Sequence, residues 1–182
     1  MVKQISNKHK LNIYWKNPYD RGISNAMEID IDEIKSHLKK GERLLGLDLG
    51  SKTIGIALSD INLTIATPME TIKRLKFTKD ADRLITIIKE QKVGGIVLGL
   101  PINMDGSEGP RCQSTRAFAR NFARTSDLPI TYWDERLSTV AAERALLEAD
   151  TSRKRRAEVI DNIAAAYILQ GLLDRLQHLR RA

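Results

Sequence analysis

The chain has 182 residues, 42% of them hydrophobic and 29% charged, which suffices for one domain with its own core and does not suggest two. Its 30 Lys and Arg against 23 Asp and Glu give a formal charge of +7, which favours a polyanionic partner and also suits a plain basic surface. The single cysteine, Cys112, excludes an intramolecular disulfide and points to a reducing, cytoplasmic setting; the scattered His9, His37 and His178 argue against a zinc cluster; no apolar run is long enough to span a bilayer.

In chain order, residues 1–26 carry Lys3, Lys8, Lys10, Lys16 and Arg21 against Asp20, with no apolar core of a secretory signal. They read as a flexible or loosely docked extension, and Met27 is an alternative start. Asp32 to Lys40 is expected to form a short helix ending at Gly41. This divides the chain into an N-terminal extension, 1–41, partly flexible with a short helix, and a folded domain, 42–182.

The organising stretch is Leu44 to Asp60, LLGLDLGSKTIGIALSD. Alternation in an extended segment puts Leu45, Leu47 and Leu49 on one face and Gly46, Asp48 and Gly50 on the other. Glycines flanking a mid-strand carboxylate mark a place where a backbone or ligand must come close. Thr53 to Leu58 reads as the returning strand, and Leu63 to Ile72, interrupted by Pro68, as a third strand near an edge.

The pattern then changes. Lys79 to Gln91 has helical spacing, and Gly94–Gly95 leads into the buried strand Ile96 to Leu98. Helix followed by strand argues for an α/β sheet with helices on its faces. The turn-rich stretch Leu100 to Pro110 lies beyond that strand's end, where open α/β sheets bind ligands. Arg111 to Arg124 reads as a helix with Arg116, Arg120 and Arg124 on one side and Phe118 and Phe122 on the other; those arginines form either a solvated face or a phosphate-contacting one. Pro129 to Trp133 is a fifth strand ending in Asp134, Glu135 and Arg136, and Ser138 or Thr139 can cap a helix carrying Ala141, Ala142, Ala145, Leu146 and Leu147. The basic run Arg153, Lys154, Arg155, Arg156 reads as a charged loop or a phosphate contact ahead of a last helix, Ala157 to Leu179, in which Asp161 points along the apolar stripe of Ala164, Ala165, Ile168 and Leu172.

Three carboxylate positions are thus unlike surface charges: Asp48, the Asp134–Glu135 pair and Asp161. Singly, each has an ordinary structural explanation. Together they favour an oxygen-ligand site for Mg²⁺ or Mn²⁺, in the two-metal manner suited to in-line attack on a phosphodiester, with the basic surface holding nucleic acid against it.

The motifs GLDLGSKTIGIALSD, VLGLPINMDGSEGPR, DERLST and IDNIAAAYILQ, in that order from about Leu44 to Leu173, resemble the YqgF (RuvX) family, described as a Holliday junction resolvase and as a nuclease processing precursor 16S rRNA. The resemblance implies a ribonuclease H-like fold: a mixed five-stranded sheet, an antiparallel meander plus two parallel strands, flanked by helices. It implies metal-dependent phosphodiester cleavage by Asp48, Glu135 and Asp161, which would also hold the metal. Related nucleases often carry an acid at the end of the fourth strand; here Gly99, Leu100 and Pro101 stand there, so the site must rely on the fifth-strand acids. Alternation lets only one of Asp134 and Glu135 face it, and Glu135 is the expected one. Asn103, Ser107, Arg111, Arg116, Arg120, Arg136, Arg153, Lys154 and Arg155 are the expected substrate contacts, with Gly106 a turn residue. The expected partner is nucleic acid, precursor rRNA in preference to a four-way DNA junction, and through it the small-subunit precursor. Two rivals stay open. One is a kinase or Hsp70-like phosphate hairpin, although no second GxDxG hairpin is present. The other is an RNA-binding assembly factor without turnover.

Overall fold

The computed structural model describes residues 28–137 and the helix 153–179, with that helix's side chains described from Asp161 onward. The expected N-terminal extension up to residue 27 and the helix expected after Ser138 or Thr139 lie outside these residues.

Five strands form one sheet: β1 (Arg43–Leu49), β2 (Thr53–Ser59), β3 (Ala66–Lys73), β4 (Val93–Leu100) and β5 (Ile130–Asp134), in the order β3-β2-β1-β4-β5. The β1–β2 and β2–β3 pairs are antiparallel, and β1–β4 and β4–β5 are parallel. Helices α1 (Phe77–Glu90) and α2 (Pro110–Phe122) provide the crossovers, and α3 (Arg153–Leu179) closes the opposite face. This is the expected mixed five-stranded sheet, an antiparallel meander plus two parallel strands, flanked by helices.

Alternation along the strands builds two cores. Leu45, Leu47, Ile54, Ile56, Ile96 and Leu98 point to α1 and α2, where Phe118 stacks on Phe122 at 6.0 Å and meets Phe77 edge-on at 5.6 Å. Leu44, Ala57, Val97 and Trp133 point to α3 and its Ala165, Ile168, Leu169 and Leu172. Burying each large aliphatic side chain contributes roughly 1.5–3 kcal/mol, so the sheet is held firmly from both sides.

Three local expectations change. The helix expected over residues 32–40 is a single 3₁₀ turn, Ile34–His37, and the chain reverses at Gly41 with φ +86°. The third strand begins at Ala66 because Asp60 organises the preceding loop: its carboxylate accepts N–H bonds from Asn62, Thr64 and Ile65 and the Thr64 hydroxyl. Partial burial opposes ionisation of Asp60, but these four donors win and lower its carboxyl to about 2. Finally, the backbone of Arg153–Arg156 forms the first turns of α3 instead of a loop.

Residues 28–38 lie against the body. Glu28 bridges to Ile130 beside β5, the Ile29 N–H donates to the Ile130 carbonyl at 3.1 Å, Ile29 and Ile34 enter the α3-side core, and Asp32 pairs with Arg175 at 2.6 Å.

Candidate active site

Asp48 sits on the α3 face of the central strand and is only 2% exposed. Across β2 its partner is Gly55. Across β4, Leu47 pairs with Leu98, so the next step brings Gly99 alongside Asp48. Both glycines make room for another acid. A Cβ at Gly55 would collide with the Asp161 carbonyl, so α3 meets the sheet there and delivers Asp161. At Gly99 a Cβ would collide with Ile168 Cδ1 and lie 2.7 Å from Glu135 Oε1. The Glu135 carboxylate therefore reaches over the place where a fourth-strand side chain would project. Asp48, the Glu135 carboxylate and the backbone of Asp161 thus lie along the row Gly55–Asp48–Gly99, at the carboxyl ends of parallel β1 and β4, the usual location of sites in such sheets.

The two consecutive acids after Trp133 part company. Asp134 ends β5 and grips Arg136, accepting from Nε at 3.0 Å and from Nη2 at 2.6 Å. The Arg136 hydrogen bonds hold the Asp134 carboxyl below its ordinary value. Glu135, in the 3₁₀ turn Glu135–Leu137, is the one directed at Gly99.

Asp161 is steered by a residue that sequence reading did not single out. The hydroxyl of Thr53, the first residue of β2, donates to Asp161 Oδ2 at 2.6 Å. Among the described residues no three His, Cys, Asp or Glu side chains already enclose a metal-sized point. The donor chemistry nevertheless fits a hard divalent cation, since the acids gathered around Asp48 offer only carboxylate oxygens.

The expected substrate contacts divide. Asn103 and Ser107 build the turn after β4: the Asn103 amide donates to Ser107 Oγ at 2.9 Å, the Ser107 hydroxyl donates to Asp105 at 2.6 Å, and Gly106 takes φ +86°. Arg136 donates weakly to the Asn103 carbonyl at 3.5 Å, tying this turn to the acids. Arg116 is engaged on the protein itself, donating to Glu108 at 2.5 and 2.8 Å and lying 4.7 Å over the Tyr132 ring. Burial, then the Glu28 carboxylate that accepts the Tyr132 hydroxyl at 2.6 Å, pushes that phenol well above its usual range. Arg120 is exposed further along α2, and Arg111 is exposed in its first turn. The side chains of Arg153, Lys154 and Arg155 lie outside the described residues.

An open cleft of about 1050 Å³ borders the site, with Asp161 and Thr53 on its wall, Lys52, Lys73 and Arg74 on one flank, and Arg111 on the other. Sequence reading selected only Arg111 and Asp161 of these. Lys73 and Arg74 are remote from the acids in sequence, and only the β2–β3 pairing of Thr53 with Lys73 brings them alongside.

A family model described as "RuvX: Holliday junction resolvase" matches residues 42–175. The chain belongs to the RuvX family. It is 67% identical over 153 residues to a Roseobacter denitrificans protein named "Putative pre-16S rRNA nuclease", covering 83% of this chain and 94% of that one. It is 68% identical over 142 residues to a Paramagnetospirillum magneticum protein of the same name, covering 78% and 92%. Among solved structures, Thermus thermophilus RuvC in complex with a Holliday junction substrate overlays with a TM-score of 0.49 at 11% identity, over 75% of this chain and 96% of that one. The RuvX match contains all three acids and every basic residue of the cleft.

Proposed function

We propose that this RuvX-family protein is a nuclease that hydrolyses phosphodiester bonds at Asp48, Glu135 and Asp161 and trims the ends of precursor 16S rRNA during ribosome biogenesis. The observation that carries the reading is the clearance at Gly55 and Gly99 on either side of buried Asp48, which admits the α3 backbone at Asp161 and the Glu135 carboxylate beside a cleft with cationic walls. Structural acids do not require such clearance of side chains around them. RNA is preferred to a DNA junction because relatives at 62–68% identity carry the pre-16S name.

Asp48, from the rigid central strand, is the fixed member of the trio. Glu135 approaches from the β5 side and Asp161 from α3, so the three would hold Mg²⁺ or Mn²⁺ between sheet and helix. When bound, such a cation supplies the Lewis acidity for hydrolysing the ester and stabilises charge on the leaving oxygen. The chain itself does the positioning: Thr53 orients Asp161, and Asp134 takes the Nε–Nη2 fork of Arg136, leaving Nη1, which donates only weakly to the Asn103 carbonyl, as the side that can turn to a phosphate. No described helix is long and apolar enough to cross a membrane, and the reading places the protein in the cytoplasm with its ribosomal substrate.

The test is cleavage by the purified protein, with Mg²⁺, Mn²⁺ or chelator, of precursor 16S rRNA termini and a four-way DNA junction in parallel. Metal-dependent trimming of the RNA supports the proposal. Preferential cutting of the junction assigns the same chemistry to recombination. Chelator-insensitive RNA binding with no cleavage of either substrate identifies a non-catalytic assembly factor.

A further inference from the structure

The cleft beside the acids contains more cationic chemistry than the nuclease reading has used. Lys52 projects from the β1–β2 turn, Lys73 and Arg74 come from the end of β3, and Arg111 comes from the first turn of α2. Lys52, Lys73 and Arg111 are exposed. Arg74 is fixed: its Nη1 donates to the Gly50 carbonyl at 2.8 Å, and its backbone N–H donates to the Lys52 carbonyl at 2.9 Å. These bonds tie the β1–β2 turn to the end of β3, so the cations on that flank come from one connected piece of backbone. On the opposite flank α2 starts at Gly109–Pro110 without a side-chain cap, which leaves its positive end available to an anion.

We propose that this cleft is the track for a single nucleic-acid strand, in which Lys52, Lys73, Arg74 and Arg111 grip successive phosphates and lead the strand past Asp161 to the acids. The proposal rests on the nuclease reading and names the form of the substrate. A carboxylate-lined site repels a polyanion, so cations must hold the substrate from outside the acids, and here they line both walls of a channel. The channel also presents Leu75, which is 77% exposed at its rim. A large apolar side chain beside a row of cations suits an unstacked base or ribose, whereas a duplex keeps its bases stacked and offers phosphates alone at that depth.

The experiment uses the full chain carrying Asp48→Asn, so that bound substrate stays intact. Fluorescence anisotropy with a labelled single-stranded RNA, its DNA counterpart and a blunt RNA duplex is recorded over a range of salt concentrations. Adding Lys52→Gln and Lys73→Gln, which leave the Arg74 bonds in place, is expected to weaken single-strand binding at least tenfold and to reduce the log–log salt slope by about 0.7 for each phosphate no longer neutralised. Lys79→Gln and Lys89→Gln on α1 are expected to leave the slope unchanged, which separates a track from general charge. Similar weakening for single-stranded RNA and DNA supports a backbone track, and a larger effect on RNA supports one that also reads the ribose. An unchanged slope in the Lys52/Lys73 variant, or a duplex bound more tightly than the single strand, overturns the proposal. If wild type binds single strands through these lysines yet cuts nothing, the track stands and the nuclease reading fails.

Discussion

Thr53 donates a 2.6 Å hydrogen bond to Asp161, joining the first residue of β2 to a helix 108 positions further along the chain. The bond fixes the one acid of the trio that arrives on a helix instead of on or beside a strand end. A hydrogen bond to a charged group contributes about 1.5–3 kcal/mol. Thr53→Val should therefore raise the divalent-metal concentration needed for half-maximal cleavage several-fold and lower stability by about 1 kcal/mol or more, whereas Thr53→Ser should behave nearly as wild type. A metal titration followed both by cleavage and by calorimetry of metal binding checks this. Equal behaviour of the Val and Ser variants would reduce Thr53 to a packing residue.

Gly99 and Gly55 make opposite demands. At Gly99 an added Cβ meets the ends of two side chains, Ile168 and Glu135, while at Gly55 it meets the backbone of α3. Gly99→Ala should fold, at a cost of about 1–3 kcal/mol, and should lose most activity because Glu135 is displaced. Gly55→Ala should cost about 3 kcal/mol or more, since a helix must move. Urea denaturation alongside cleavage assays distinguishes the two, and a fully active Gly99→Ala variant would contradict the placement of Glu135.

The separation of Asp134 from Glu135 gives a paired prediction. Glu135→Gln should reduce cleavage about a thousandfold, equivalent to ~4 kcal/mol of transition-state stabilisation. Asp134→Asn should cost about tenfold or less, through a loosened Arg136. Rate constants under saturating substrate compare them directly, and a greater loss at Asp134 would exchange their roles.

Asp60 provides a pH test away from the site. Its carboxyl is lowered to about 2 in the folded protein, against about 3.9 in an unfolded chain. The stability it contributes is thus complete above about pH 4 and is lost as pH falls toward 2. Asp60→Asn should be less stable than wild type at neutral pH, and the gap should narrow over that acid window. A gap independent of pH would mean that the loop is held by geometry and not by the charge.

Much of this was legible in the sequence because the relevant signals are local. The alternation of Leu45 and Leu47 against Gly46 and Asp48 identified the face of β1, and the glycines beside Asp48 announced close approach, which Gly46 bears out, since a Cβ there would lie 2.7 Å from Leu169 Cβ and 2.9 Å from the Ala165 carbonyl of α3. Pro68 correctly marked an edge strand; it sits in β3, beside the register shift in β2. The 3₁₀ turn at Ile34–His37 escaped because tertiary burial of Ile34 outweighs helical periodicity over so short a stretch. Thr53, Lys73 and Arg74 escaped for another reason. Their importance comes from strand pairing and from contact with α3, which no window along the chain contains. Arg116 illustrates the converse, since its place on a basic stripe gave no sign that Glu108 and Tyr132 would occupy it.

The central claim is that Asp48 is the fixed carboxylate of a metal-dependent phosphodiesterase site. Single-turnover cleavage of a precursor 16S rRNA end by wild type and Asp48→Asn, in Mn²⁺ and in chelator, with RNA binding measured on the same samples, tests it most directly. The account predicts cleavage by wild type in metal alone, a loss of at least about a thousandfold in the variant, and RNA binding within a few-fold of wild type. Cleavage that survives Asp48→Asn, or proceeds undiminished in chelator, would contradict it.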